Sequence, residues 1–163
     1  MINFRKVSGF SSEEVSRLIS ARILVNIVLV SDDFKKKVLG FKFATTNDSP
    51  EEVMGRISQP WLINISIVTP PFWKRWISQE TGHECADGCV VLDRDKYACQ
   101  SIPEIADTII HEACHVAGYR HISEQDVTSV PYALGTLTKE VSQELLTENN
   151  VPDHLAAITS TNS

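Results

Sequence analysis

The spacing of apolar positions divides the chain into alternating helices and strands. Ser11 and Glu14 make a capping-box pattern, and Val15, Leu18, Ile19, Arg22 and Ile23 follow at helical spacing, which predicts a helix through about Val30. A second helix starts after Ser31 and runs to Leu39, and Gly40-Phe41-Lys42-Phe43 then reads as the beginning of a short strand. Asn47-Asp48-Ser49-Pro50-Glu51-Glu52 carries the cap, proline and acids of a helix start, giving a short helix to about Ile57. From Trp61 to Val68, Asn64 and Ser66 alternate with Ile63, Ile65 and Ile67, the period of a strand with one buried face. Pro70-Pro71 stops that strand, and Phe72, Trp73 and Trp76 follow as packing aromatics. Gly88 to Tyr97 reads as a further strand with a turn at Asp93-Arg94-Asp95.

The strongest pattern comes next. Gln100 or Ser101 precedes Ile102-Pro103-Glu104, and a proline and an acid in the first turn favour a helix N-terminus. Ile105, Ile109, Ala113 and Val116 then form one buried stripe, widened by Ala106, Ile110 and Ala117. Beyond Asn149 the chain is rich in Thr, Ser, Asn and Ala, the composition of a fraying tail in which His154 is incidental. The pattern predicts an α+β fold: a single domain over 1–149 in which a small twisted sheet packs on the 102–117 helix, and a tail over 150–163.

Composition narrows the partners. A chain of 163 residues with 42% hydrophobic and 22% charged content is an ordinary globule, not a fibrous or disordered one. A net charge of −6 without a basic block argues against nucleic acid or an anionic membrane as the principal partner. Lys35-Lys36-Lys37, preceded by Asp32-Asp33, reads as a solvated helix face. The start of the chain lacks a secretory-signal pattern, and the longest apolar run, Ile23 to Val30, is far short of the roughly twenty residues that span a bilayer. Cytoplasmic residence is the default expectation, with signal-less export left open. Four cysteines are too few for a disulfide scaffold. Cys114 reads as a packing residue. His83, Cys85, Cys89 and Cys99 are spaced too widely for an ordinary structural zinc site, so free thiols, or a bridge from Cys99 to Cys85 or Cys89 after export, are expected instead.

One segment names a chemistry. Residues 111–121 read His-Glu-Ala-Cys-His-Val-Ala-Gly-Tyr-Arg-His. On a helix, His111 and His115 project about 40° from one another, on the side away from the apolar stripe, and can share a metal ion. Gly118 can adopt the left-handed conformation that ends a helix, which returns His121 toward the same ion. Three ligands leave a fourth position for water, the mark of a catalytic Zn2+ site, and Glu112 is the candidate general base. Chance produces His-Glu-x-x-His in roughly one such chain in a hundred, and the added Gly118 and His121 cut this by roughly another thousandfold. Glu140 or Glu144 is the alternative third ligand, disfavoured because acids on a helix usually form its solvated side. Asp107 and Asp126 are candidate partners for the second ring nitrogens.

His111-Glu112-x-x-His115-x-x-Gly118-x-x-His121 resembles the extended zinc signature of the metzincin metallopeptidases. Ser129-Val130-Pro131-Tyr132 adds a looser likeness to small bacterial proteins of metallopeptidase type, in which such a turn follows the zinc helix. The resemblance covers eleven residues directly and implies a zincin-like domain, His111, His115 and His121 as zinc ligands, and Glu112 as the base. The chain departs from the family in lacking the methionine of the turn beneath the metal, since its only methionines are Met1 and Met54. Val130 to Gly135 is expected to form that floor as a turn, with Tyr132 as a candidate hydrogen-bond donor to an oxyanion. Cys89-Val90-Val91-Leu92 is expected as an exposed edge strand that pairs with extended substrate. The expected activity is hydrolysis of peptide bonds in a peptide or protein substrate, within the chain more than at its ends. The alternatives are a metal-bound interaction protein without turnover and a zinc amidohydrolase acting on a non-peptide amide. Oligomeric state is left open.

Overall fold

The computed structural model describes residues 1–69, 82–85, 89–121 and 126–148, with the backbone alone at 82–85, 89 and 148. The chain opens with β1 (Ile2–Ser8), a strand that the apolar pattern does not announce. Only Ile2 and Phe4 turn inward before a register shift between Phe4 and Lys6 breaks the alternation. Helix α1 (Ser12–Val30) starts at the expected cap, where the Glu14 carboxylate accepts from Ser11 N–H at 2.6 Å. Asn26, the polar residue inside its apolar run, pairs with the strand: its side chain accepts from Ile2 N–H at 2.8 Å and donates to the Ile2 carbonyl at 2.9 Å. Helix α2 (Asp32–Leu39) follows, capped by Ser31, and α3 (Pro50–Ile57) starts from a capping box of Ser49 and Glu52.

The strand expected at Gly40 to Phe43 does not form. Gly40 instead ends α2, its N–H donating to the Lys36 carbonyl at 3.1 Å, and Phe41 and Phe43 pack ring to ring in an irregular connection. Two aromatics two apart satisfy a strand period, but here both are used against each other. Strand β2 (Trp61–Val68) is as expected, with Ile63, Ile65 and Ile67 buried on one face. Next come β3 (Gly82–Cys85) and β4 (Cys89–Asp93). The strand expected to continue to Tyr97 stops at Asp93, whose carboxylate accepts from the N–H groups of Asp95 and Lys96 and so opens helix α4 (Arg94–Cys99). Tyr97 is thereby buried, its hydroxyl donating to the Glu14 carbonyl at 2.8 Å. Phe72, Trp73, Trp76 and the tail over 150–163 lie outside the described residues, as do the side chains of His83, Cys85 and Cys89. Cys99 is a free exposed thiol, and Cys114 is a buried one whose proton affinity is raised by burial and then by the charge of Glu112.

The sheet has the order β1-β2-β4-β3, with β1, β2 and β4 parallel and β3 antiparallel to β4. This corrects the expected edge: residues 89–92 lie between two strands, and among the described residues β3 and β1 form the margins. Helix α5 (Ile102–Val116) follows its expected cap, with Glu104 accepting from both the N–H and the hydroxyl of Ser101. It packs against α1, against β3 and against α6 (Val130–Glu148). Ile105, Ala106, Ile109, Ile110 and Ala113 of α5 join Ile63, Ile65 and Val90 of the sheet and Leu18, Val25 and Val28 of α1 in one core. The fold is α+β. Among the described residues no helix is long and apolar enough to cross a membrane.

The segment expected as a turn over Val130–Gly135 is the first part of α6. Pro131 lies in its opening turn, where a missing N–H costs nothing, so the proline that suggested a bend starts a helix instead. Gly135 is what allows α6 to approach α5, because a Cβ built there would lie 2.1 Å from Oδ1 of Asp107. Alanine normally stabilises a helix interior by about 1 kcal/mol over glycine. Gly135→Ala is nevertheless expected to lower the melting temperature, and Asp107→Ala in the same chain is expected to restore it. A Gly135→Ala chain that melts at or above wild type would show that the carboxylate swings aside without cost.

Candidate metal centre

Helix α5 stops where its sequence says it should. The N–H of Tyr119 donates to the Cys114 carbonyl at 2.9 Å and that of Gly118 to the His115 carbonyl at 3.0 Å, the paired bonds of a Schellman ending. Gly118 supplies the positive φ, +96°, that this ending requires. The chain then doubles back, and His121 comes to lie beside the last turns of the helix. Its ring centre is 5.4 Å from that of His111 and 5.0 Å from that of His115. One nitrogen from each of the three half-buried imidazoles lies within 4.8 Å of the others, so the three histidines could hold a metal ion.

Hydrogen bonding fixes what these rings present. His115 Nδ1 lies 2.9 Å from the Tyr119 carbonyl, and a carbonyl only accepts, so Nδ1 carries the proton. Nε2 is then a bare lone pair, and it sits 3.2 Å from Nε2 of His111. The Pro131 backbone, which carries a carbonyl but no N–H, also acts on the His111 imidazole and favours its protonated form. A neutral imidazole has one N–H, so His115 has no proton left to place between the two facing nitrogens. Protonating one of them is also disfavoured, because burial, followed by the neighbouring His115 and His121, lowers the pKa of His111 to about 3. Only a proton from His111 or a cation could then bridge the two nitrogens. Tetrahedral zinc with Zn–N bonds of about 2.05 Å would separate two ligand nitrogens by about 3.3 Å, close to the spacing seen.

At His115 the carbonyl of Tyr119 takes the place expected for Asp107 or Asp126. Asp107 faces Gly135, and burial raises its carboxyl to about 6. Asp126 closes a local turn, accepting from the Thr128 hydroxyl at 3.0 Å. The acceptor could not be read from side-chain identity because every residue carries a carbonyl. Neither Glu140 nor Glu144 belongs to the cluster. Glu140 is exposed, and Glu144 pairs with Lys37 of α2 at 2.9 Å.

Glu112 is 5% exposed and borders a small cavity between α5 and the sheet, lined by Phe4, Ile63, Ile65, Val90, Leu92, Thr108 and Ile109. Such low-polarity walls leave its carboxylate poorly screened. Tyr132, on the opening turn of α6, packs its ring centre 4.7 Å from those of His111 and His121. It reaches the imidazoles from a helix, not from the expected turn. No family model, curated protein or solved structure matches the chain.

The lowered pKa of His111 has a signed consequence for the metal-free protein. The unfolded chain takes up a proton at this residue below its ordinary 6.5, while the folded chain resists until about 3, so stability is lost as pH falls through that window. From pH 7 to 4.5 the loss from this residue is about 3 kcal/mol. Urea unfolding of metal-free wild type is expected to weaken by about that much more than unfolding of His111→Gln over the same interval. Equal pH dependence in the two proteins would mean that the ring is not held neutral.

Proposed function

We propose that the protein is a zinc-dependent metallopeptidase with a zincin-like fold, in which His111, His115 and His121 bind the ion and Glu112 is the general base. The observation that carries this reading is the gathering of three imidazoles, with Nε2 of His115 and of His111 3.2 Å apart and the His115 proton committed to the Tyr119 carbonyl. A buried carboxylate on the same helix, one residue after His111 in sequence, supports hydrolysis over simple metal storage. Zinc, when bound, would act as a Lewis acid that polarises a scissile carbonyl and lowers the pKa of a coordinated water toward 7.

Within that scheme the chain's own groups have distinct tasks. The Tyr119 carbonyl keeps the proton of His115 on its outer nitrogen and aims the inner lone pair. Glu112 takes a proton from the attacking water and later delivers it to the leaving amine, so one carboxylate serves both halves of the reaction. The substrate reading is an extended peptide or protein segment. Its support is the position of β3, which borders the sheet and packs beside α5, so a peptide added there would lie along the metal helix.

The test separates binding from turnover. Glu112→Gln is expected to bind one zinc ion per chain as wild type does, and to cleave an unstructured protein such as casein at least 100-fold more slowly, within the range of about 10²- to 10⁴-fold for loss of a general base. Zinc binding with no Glu112-dependent cleavage would leave an interaction protein. Turnover confined to small non-peptide amides would point to an amidohydrolase.

A further inference from the structure

Tyr119 does two things at once. Its carbonyl holds His115 Nδ1 at 2.9 Å, and also accepts from Arg120 Nη1 at 3.0 Å. Its side chain, 5% exposed, reaches away from the site, and the hydroxyl donates to Oδ2 of Asp48 at 2.8 Å. Asp48 stands just ahead of the cap of α3, far from the histidines in sequence. The same Oδ2 pairs with Arg56 Nη2 at 3.1 Å, and the Arg56 guanidinium carbon lies 5.1 Å from the centre of the Tyr119 ring. Hydrogen bond, ion pair and cation–π contact thus close a three-residue ring around the tyrosine.

The connection between α2 and α3 also holds the chain beyond the third imidazole. Ala44 N–H donates to the carbonyl of Thr128 at 3.2 Å, ahead of α6. Residues 44–48 therefore grip the chain at 119 and again at 128, on either side of His121. The Schellman ending holds the backbone as far as Tyr119, and the bonds to the Tyr119 side chain and the Thr128 carbonyl come from outside the zinc motif.

We propose that Asp48 and Arg56 are positioning residues for the metal centre, acting through Tyr119. Their clamp fixes the carbonyl that sets the tautomer and aim of His115, and anchors the start of the segment that delivers His121. The proposal rests on the reading of the three imidazoles as metal ligands. Preorganisation of this kind removes an ordering cost that binding would otherwise carry. Groups that orient metal ligands from behind typically change metal affinity by about 10- to 100-fold when removed.

The experiment compares wild type, Tyr119→Phe, Asp48→Ala and Asp48→Asn. Zinc affinity is measured by competition with a chromophoric chelator, the ligand field by the visible spectrum of the cobalt(II) form, and stability by melting of the metal-free chain. Tyr119→Phe and Asp48→Ala are expected to bind zinc about 10-fold or more weakly and to shift the cobalt bands, while their metal-free melting temperatures stay near wild type. Asp48→Asn, which still accepts the tyrosine hydroxyl, is expected to lose less than Asp48→Ala. If Asp48→Ala does not fold, Tyr119→Phe and Asp48→Asn carry the comparison. Wild-type affinity and an unshifted cobalt spectrum in Tyr119→Phe would overturn the clamp, as would a loss of affinity that merely tracks a fall in metal-free stability. If wild type binds zinc no better than His111→Ala, the metal reading itself falls and takes the clamp with it.

Discussion

Protons in short supply govern this site. Each neutral imidazole owns a single N–H, and in His115 that N–H is spent on the Tyr119 carbonyl. Its remaining nitrogen faces Nε2 of His111 with an electron pair only. A helix can place two side chains four residues apart on one face, but it cannot by itself decide which nitrogen of each ring points inward. The turn after α5 makes that decision for His115, so the flanking backbone belongs to the cluster as much as the rings do.

That dependence explains why α5 is enclosed. One side packs on α1 and the sheet, another on α6, and Gly135 lets α6, which carries Tyr132 against His111, lie close to α5. Burial on this scale strips water from the histidines and from Glu112, and it makes a proton on His111 costly. The same enclosure raises the Asp107 carboxyl, a group that takes no part in the cluster. Desolvation acts on whatever is placed there, which is why a shifted acid on α5 is not by that fact part of the chemistry.

The helices that carry a cap and a regular apolar stripe were legible without coordinates: α1 and α2 start at Ser11 and Ser31, α3 starts within the Asn47 to Glu52 signal, at Ser49, and α5 starts at Ser101, one of the two caps its sequence offered. The left-handed Gly118 and the return of His121 were legible too, because only glycine takes that φ readily. Strand β1 was hidden by its register shift, and α4 by an aspartate that reads equally as a turn. Pro131 misled for a related reason, since proline marks both bends and helix starts. The carbonyl acceptor of His115 and the Asp48 clamp lay beyond reach: backbone acceptors leave no trace in residue identity, and a contact between Asp48 and Tyr119 depends on how the elements pack.

The parallel pairing of β1 with β2 has a consequence for how the molecule assembles. Ile2 must find Trp61 across three intervening helices, and β2 must then find β4, so the sheet closes large loops before its ladder bonds offset the lost chain entropy. The histidines come from one short stretch, yet Tyr119, whose carbonyl faces His115, is held by Asp48 ahead of α3, so the cluster is assembled only once these elements have packed. The slow step of folding then belongs to the strands.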